Sequence, residues 1–382
     1  MRRLLYGTTA LVGAGMVAAG PAAAQNGPEW NVSVNGYMNE FFGFGDVDDD
    51  NPGGVGERNL NGTGHFDDGE IHFNFAITLD NGVDVGGQVQ LEAFTSGDQI
   101  DENYLFVSGS FGRLVLGSEN AAAYLMHPGA PNVGVPINSG WITSFVDDQA
   151  VHTTGFRHPA LSTFIDWGND ENRVTYFTPR IAGFQLGASY TPCVTGTGTG
   201  ANFPAVCTDG NGAGGAAEGT DQVSVGANFA RDFNGISVSI GGGWSSILDE
   251  NEAVFPDGSP DQYQGGVSIS YAGFSVGGSF AYQDSEDNGV ATAQTVNDGH
   301  SFDAGASYST GPWSVGVTYL GSESAGGVGN GEDELDAVEG GVEYALGPGV
   351  STSASVLYAN WEDEAGAETD GIVGVLGLSV SF

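Results

Sequence analysis

The sequence predicts an all-β fold: a sixteen-stranded antiparallel barrel that crosses a membrane. Three observations lead there. Ser314 to Tyr319 places apolar side chains at odd numbers and small or polar ones at even numbers, and this two-residue rhythm returns until the chain ends at Phe382. Alternation of that kind gives a strand one apolar and one polar face, and about ten tilted residues are enough to cross a bilayer. Glycine supplies 65 of 382 residues, and each glycine inside a helix costs about 1 kcal/mol against alanine, which argues against a helical protein. Beyond the N-terminal leader there is no run of eighteen apolar residues to make a spanning helix. Hydrophobic content is still 40%, too high for a disordered acidic chain.

The first 24 residues read as an export signal. Arg2 and Arg3 form a basic start, Leu4 to Ala19 an apolar stretch, and Ala22, Ala23 and Ala24 a small-residue cleavage site. The expected mature domain is residues 25–382. The formal net charge of −40 becomes −42 once the two leader arginines are gone, and there is no lysine. Binding to nucleic acid needs clustered positive charge against phosphate, so that partner is excluded.

The strands fall in order at about 29–44, 65–79, 82–94, 100–109, 112–118, 172–180, 183–191, 221–231, 235–247, 261–271, 273–283, 299–309, 312–322, 334–346, 349–361 and 368–382. Their number is even, as bacterial barrels require. Alternate connections are short and carry turn residues, among them Asp80-Asn81-Gly82, Ala272-Gly273 and Gly347-Pro348-Gly349. The others are mostly long and acidic, such as Gly45 to Gly64 and Leu248 to Pro260. Short turns on one rim and long loops on the other fit an up-and-down barrel. The apolar set, for example Ile236, Val238 and Ile240, faces lipid, while Ser237, Ser239 and Gly241 face inward. Aromatic pairs at strand ends, such as Trp313 with Tyr319, fit the two water boundaries. A soluble sandwich shares this rhythm, but such domains run nearer 100 residues and no linker divides this chain.

Cys193 and Cys207 lie in one Gly-, Thr- and Ala-rich stretch. Export implies an oxidising compartment, where such a pair forms a disulfide, here across one loop. Asp46, Asp48, Asp49 and Asp50 in the first long loop offer oxygen ligands for calcium or magnesium, without the spacing of an EF-hand. Divalent ions there would also bridge to anionic lipid head groups.

Two segments resemble the general porins of Gram-negative outer membranes, particularly the alphaproteobacterial type. Phe111 to Glu119 (FGRLVLGSE) is similar to that family's fifth strand, and Arg173 to Tyr190 (RVTYFTPRIAGFQLGASY) to its sixth and seventh strands and their turn. With the terminal Phe382 and the strand count, the likeness covers the mature chain. The resemblance implies a homotrimer of sixteen-stranded barrels in contact with outer-membrane lipid and lipopolysaccharide. Each barrel would hold a water-filled channel for passive diffusion of small hydrophilic solutes and ions, with no cofactor.

Between those segments lie the 53 residues Glu119 to Glu171, far longer than an ordinary connection. The resemblance implies that this third loop folds inward and narrows the channel. Its charged residues include Glu119, Asp147, Asp148, Arg157 and Asp166. Counting from the lipid-facing set puts Glu70, Asp84, Glu92, Asp101, Asp303, Glu339 and Glu343 in the channel, with Arg113 and Arg173. Related porins set an arginine ladder opposite an acidic loop. This chain offers Glu70, His72 and Asn74, then Gln88, Gln90 and Glu92 instead, which predicts a negative channel that prefers cations. A barrel lipase or protease is the rival reading, since serine is plentiful and six histidines are present, but no nucleophile-elbow pattern accompanies them. A substrate-specific channel is the other alternative.

Overall fold

The computed structural model describes residues 29–49, 62–94, 99–146, 160–166, 168, 170–194, 219–250, 261–284, 298–325, 331–363 and 366–382. Sixteen strands, each hydrogen-bonded to its sequence neighbours, close into one antiparallel barrel through the pairing of β1 (Asn31–Asp49) with β16 (Glu368–Ser381). The seam runs from Tyr37 opposite Ser381 to Asp49 opposite Thr369. Phe382 continues it by exchanging backbone hydrogen bonds with Gly36 at 3.0 Å each. Closure removes the sheet edge, which in lipid would leave backbone groups unsatisfied at several kcal/mol each.

Between these lie β2 (Thr63–Thr78), β3 (Asp84–Glu92), β4 (Ile100–Gly109), β5 (Gly112–Ser118), β6 (Asn172–Phe177), β7 (Phe184–Val194) and β8 (Gly219–Phe233). The second half holds β9 (Ile236–Glu250), β10 (Asp261–Tyr271), β11 (Phe274–Asp284), β12 (Gly299–Thr310), β13 (Trp313–Ala325), β14 (Glu332–Gly347) and β15 (Val350–Glu362). Three of the short turns, at Ala182-Gly183, Asn234-Gly235 and Ala272-Gly273, carry positive φ at both central residues. That is the backbone whose twist matches a two-residue hairpin.

The expected strands are all present, with two differences of consequence. β6 stops at Phe177, because Pro179 has no N–H to give a ladder. β1 runs five residues beyond its expected end, so Asp46, Asp48 and Asp49 belong to a paired strand and not to a loop. Asp46 and Asp48 point outward and are exposed. Asp50 lies outside the described residues, as do the leader and Cys207. Cys193, in β7, is disulfide-bonded.

Alternation decides what each face meets. Val315, Val317, Phe274, Val276 and Phe280 are among the exposed outward side chains. At the short-turn rim Trp313 packs on Tyr344 (ring centroids 4.6 Å apart) and Phe274 on Tyr308 (4.3 Å). Toward the other rim Tyr263 stacks with Tyr282, and the Trp244 indole donates to Asp261 at 3.0 Å. Rings with one wet end thus mark both borders of an apolar band. The interior is mostly serine, glycine and glutamine, except where the inward residues of β13 to β16 are apolar.

Candidate functional site

The segment between β5 and β6 enters the barrel and follows its inner wall. It opens on a single helical turn, α1 (Ala122–Leu125), whose cap residue makes no side-chain hydrogen bond. Its orphan N–H groups are taken by the returning limb of the loop and by the barrel instead. Ala121 donates to Asp166 Oδ2 at 2.9 Å, Ala122 to Ser189 Oγ at 2.9 Å and Ala123 to Ser224 Oγ at 3.0 Å. The chain then passes β9, β10 and β11 in turn, so close that a side chain on the wall would collide with it. A Cβ on Gly266 would overlap the carbonyl oxygen of Pro128, one on Gly341 that of Val133, and one on Gly277 would stand 2.9 Å from that of Gly129. The inward glycines form a track at the height where the loop lies.

Two aspartates hold the loop on that track. Asp303, inward on β12, accepts from Ala130 N (3.2 Å), Asn138 Nδ2 (2.7 Å) and Thr163 Oγ1 (3.0 Å), so it ties both limbs of the loop to one strand. Asp166 accepts from Ala121 N, Gly168 N, Arg173 Nη1 and Gln222 Nε2, all within 3.2 Å. Beyond Pro131, which accepts from Thr318 Oγ1 at 2.7 Å, the contact turns apolar. Val135, Ile137, Ile142 and Val146 bury themselves against Leu320, Leu335, Leu357, Trp361 and Val373. A 3₁₀ turn, Trp141–Ser144, then brings Trp141 and Phe145 onto Phe41 and Phe66, with ring centroids 5.1 to 6.4 Å apart. His127 is buried against Phe164 at 4.6 Å with no hydrogen-bond partner for either ring nitrogen, and burial lowers its pKa to about 3. It stays neutral and packs as a hydrophobe.

This course corrects part of the inward assignment. Asp303 and Glu339 do point inward, but the loop covers them, leaving 3% and 0% exposure. They are not channel-water carboxylates. Arg173, 3% exposed and paired with Asp166 at 3.2 Å, is likewise part of the loop's anchorage. Asp101 sits at a register shift between β3 and β4. The carboxylate that β4 aims inward is its neighbour Glu102, which accepts from Asn120 Nδ2 at 2.7 Å and from Gln90. Glu102 shares the parity of the inward Tyr104 and Phe106, so counting back from the exposed Leu105 reaches it and turns Asp101 outward; the inward assignment of Asp101 follows only from the far side of the shift. Asp147, Asp148 and Arg157 lie outside the described residues.

Between the root of the loop and its tip, the open wall is β2 to β5. Glu70 accepts from Tyr37 at 2.8 Å and meets His72 Nε2 at 2.5 Å, and Asp68 accepts from Asn39 at 3.4 Å. Asn35, Asn74, Gln88 and Tyr104 continue as a ladder of neutral hydrogen bonds of 2.6 to 2.9 Å. Glu92 stands half-buried opposite Glu70. Asp84, at the short-turn rim, accepts from Thr78 at 2.6 Å, and Glu343 is half-buried across the barrel. Arg113, stacked 4.3 Å over the Phe106 ring, is the arginine of this wall.

A family model described as Gram-negative porin matches residues 7–364. This chain belongs to the Gram-negative porin family. Among solved structures, the fold is similar to an anion-selective porin from Comamonas acidovorans, with 15% identity and TM-score 0.60 over 93% of this chain and 100% of that one. It is also similar to the outer membrane channel DcaP of Acinetobacter baumannii, with 12% identity and TM-score 0.61 over 94% and 99%. An uncharacterized protein of Rickettsia conorii is 21% identical over 373 residues, 81% of this chain and 83% of that one. These likenesses concern the fold. With the family and the closed barrel, they make this porin an outer-membrane channel for diffusion.

If the track positions the loop, Gly266→Val and Gly341→Val should displace it. Overpacking of this kind costs about 1–3 kcal/mol, shared between strain and undocking. Single-channel recording in planar bilayers should show larger or noisier conductance for both variants. Gly340→Val, where an added Cβ meets nothing within 4 Å, should behave as the unmodified porin.

Proposed function

We propose that this porin passes small hydrophilic solutes and ions passively and prefers cations. The observation that carries the reading is the chemistry of the open wall. Asp68, Glu70 and Glu92 line it, the first two with partners that are mostly neutral donors, and Arg113 is the arginine beside them. A low-dielectric wall focuses such an imbalance into a field that concentrates counter-ions. The porin described as anion-selective is similar in fold, so fold alone does not decide the sign.

Export with removal of residues 1–24, assembly as a homotrimer, and contact with outer-membrane lipid and lipopolysaccharide belong to the same reading, supported by the leader pattern and the family. Intact mass of outer-membrane material is expected to give a chain starting at Gln25; an unprocessed chain would refute the leader. A catalytic role is disfavoured by the histidines. Among the described residues His65 faces Glu40 at 2.7 Å, His72 faces Glu70, His300 faces Glu323 at 3.8 Å, and His127 has no partner, so none of these four is poised as a base beside a serine.

Zero-current potentials across a potassium chloride gradient test the selectivity. Cation preference is expected, weakening from 0.1 to 1 M salt as the screening length drops from ~10 to ~3 Å. Glu70→Gln with Glu92→Gln should reduce it further. Anion preference in the unmodified porin would overturn the reading.

A further inference from the structure

Where the tip of the third loop meets the barrel, anchorage accounts for only part of the aromatic chemistry. Phe41 is 3% exposed, and Ile142 and Val146 are fully buried, as a docked tip requires. Phe66, Trp141 and Phe145 are instead half-buried. Phe66 shares its strand face with Asp68 and Glu70, so the uncovered part of its ring faces the lumen. Trp141 and Phe145 meet that ring at 65° and 68°, with centroids 5.1 and 5.9 Å away. Three rings from two elements thus make an aromatic shelf inside a water-filled barrel.

Carboxylates begin one step below the shelf. Asp68 follows Phe66 two residues toward the short-turn rim, ~7 Å along the strand, and Glu70 lies one step further, opposite Tyr37 and Glu92. Asp68 is half-buried and has Asn39 as its hydrogen-bond partner at 3.4 Å. Among the described residues no arginine or histidine forms an ion pair with it. Arg113 lies at the short-turn end of β5, Arg173 is engaged by Asp166, and the chain has no lysine. The shelf therefore has negative charge beside it and no arginine or lysine paired with that charge. Aromatic faces attract cations through their quadrupole, Trp most strongly, and groups of such rings recognise quaternary ammonium ligands. A sugar also stacks on rings, but it gains nothing from the charge of Asp68.

We propose that Phe66, Trp141, Phe145 and Asp68 form a binding station for organic cations, amine- or ammonium-bearing solutes with an apolar body, on the long-loop side of the channel. The inference rests on the cation-preferring reading of the open wall and names the solute class that this wall holds back. The apolar body covers the rings, and the positive end lies toward Asp68 and Glu70. Such solutes dwell at the shelf, whereas potassium ions, with no apolar surface, pass it freely.

Block of single-channel potassium current by benzyltrimethylammonium tests this, with refolded porin in planar bilayers. Tetramethylammonium carries the charge without the ring, benzyl alcohol the ring without the charge, and maltotriose stands for a sugar. Benzyltrimethylammonium is expected to block at a concentration about tenfold below each of the three, or lower. Phe66→Leu and Trp141→Leu, which stay apolar and lose the ring, should each shorten the blocking events several-fold. Asp68→Asn should shorten them too and, lying on the barrel wall, keeps the test decisive if a leucine variant loosens the loop. Glu362→Gln, on the outward rim, should leave them unchanged. The zero-current potential in potassium chloride alone, read on the same channels, separates the two readings. Anion preference there would overturn the selectivity and this inference with it. Cation preference without such block, equal block by any of the three comparison solutes, or block indifferent to Asp68 and to both rings would overturn this inference alone.

Discussion

The channel depends on one steric constraint: the third loop lies against the barrel wall with no room for a side chain between them. Its backbone follows a track of inward glycines from β8 to β14, closest at Gly266 and Gly341. Close approach brings loop N–H groups within reach of Asp303, Ser189 and Ser224 on the wall, which accept the hydrogen bonds that water would otherwise make, and Asp166 on the loop's returning limb accepts one more. A sixteen-stranded barrel is wide enough to stand open, so the position of this loop sets the passage. The apolar contact of its tip with Phe41, Phe66 and Trp361 fixes the far end. The glycine content of the chain therefore serves more than turns.

The loop also divides the chain's negative charge into three populations with different physical roles. Asp166 and Asp303 are covered and spend their charge on loop donors. Asp68, Glu70 and Glu92 remain on the open wall, where their field acts on passing ions. A third set faces outward at the long-loop rim. There Glu323, Glu334, Glu362 and Glu368 stand directly opposite one another along successive strand pairs. Like charges so placed repel, and exposure to water and salt moderates that cost. Net charge alone overstates the field in the channel, since only the middle population contributes to it at close range.

Much of the barrel was legible in the sequence because lipid outside and water inside impose a two-residue rhythm. Strand number, the short-turn rim and the outward face of Val315 and Val317 all follow from it. The length of the segment from Glu119 to Glu171 marked the loop as functional. What parity does not tell is what covers an inward residue, so Asp303 and Glu339 were read as wetted when the loop buries them. A signal for the covering was present. Near Leu335, Leu357, Trp361 and Val373 the inward positions turn apolar, which a water-filled lumen has no reason to favour and a docked loop does. Glu102 was legible from the rhythm of Leu105 and Val107, and Asp101 was chosen in its place because the register shift lies beside it. The acidic run at Asp46 looks like a loop because its composition is polar, yet β16 pairs with it through Asp49.

The docked position of the loop can be measured directly by cross-linking. A Cβ on Gly305 would stand 3.2 Å from the Cβ of Ala130, within a few tenths of an ångström of the spacing a disulfide uses. Refolded porin carrying Gly305→Cys and Ala130→Cys should form that disulfide on mild oxidation, with the same single-channel conductance before and after. Failure to cross-link in a folded barrel, or a large drop in conductance once the bond forms, would show that the loop does not rest on this wall.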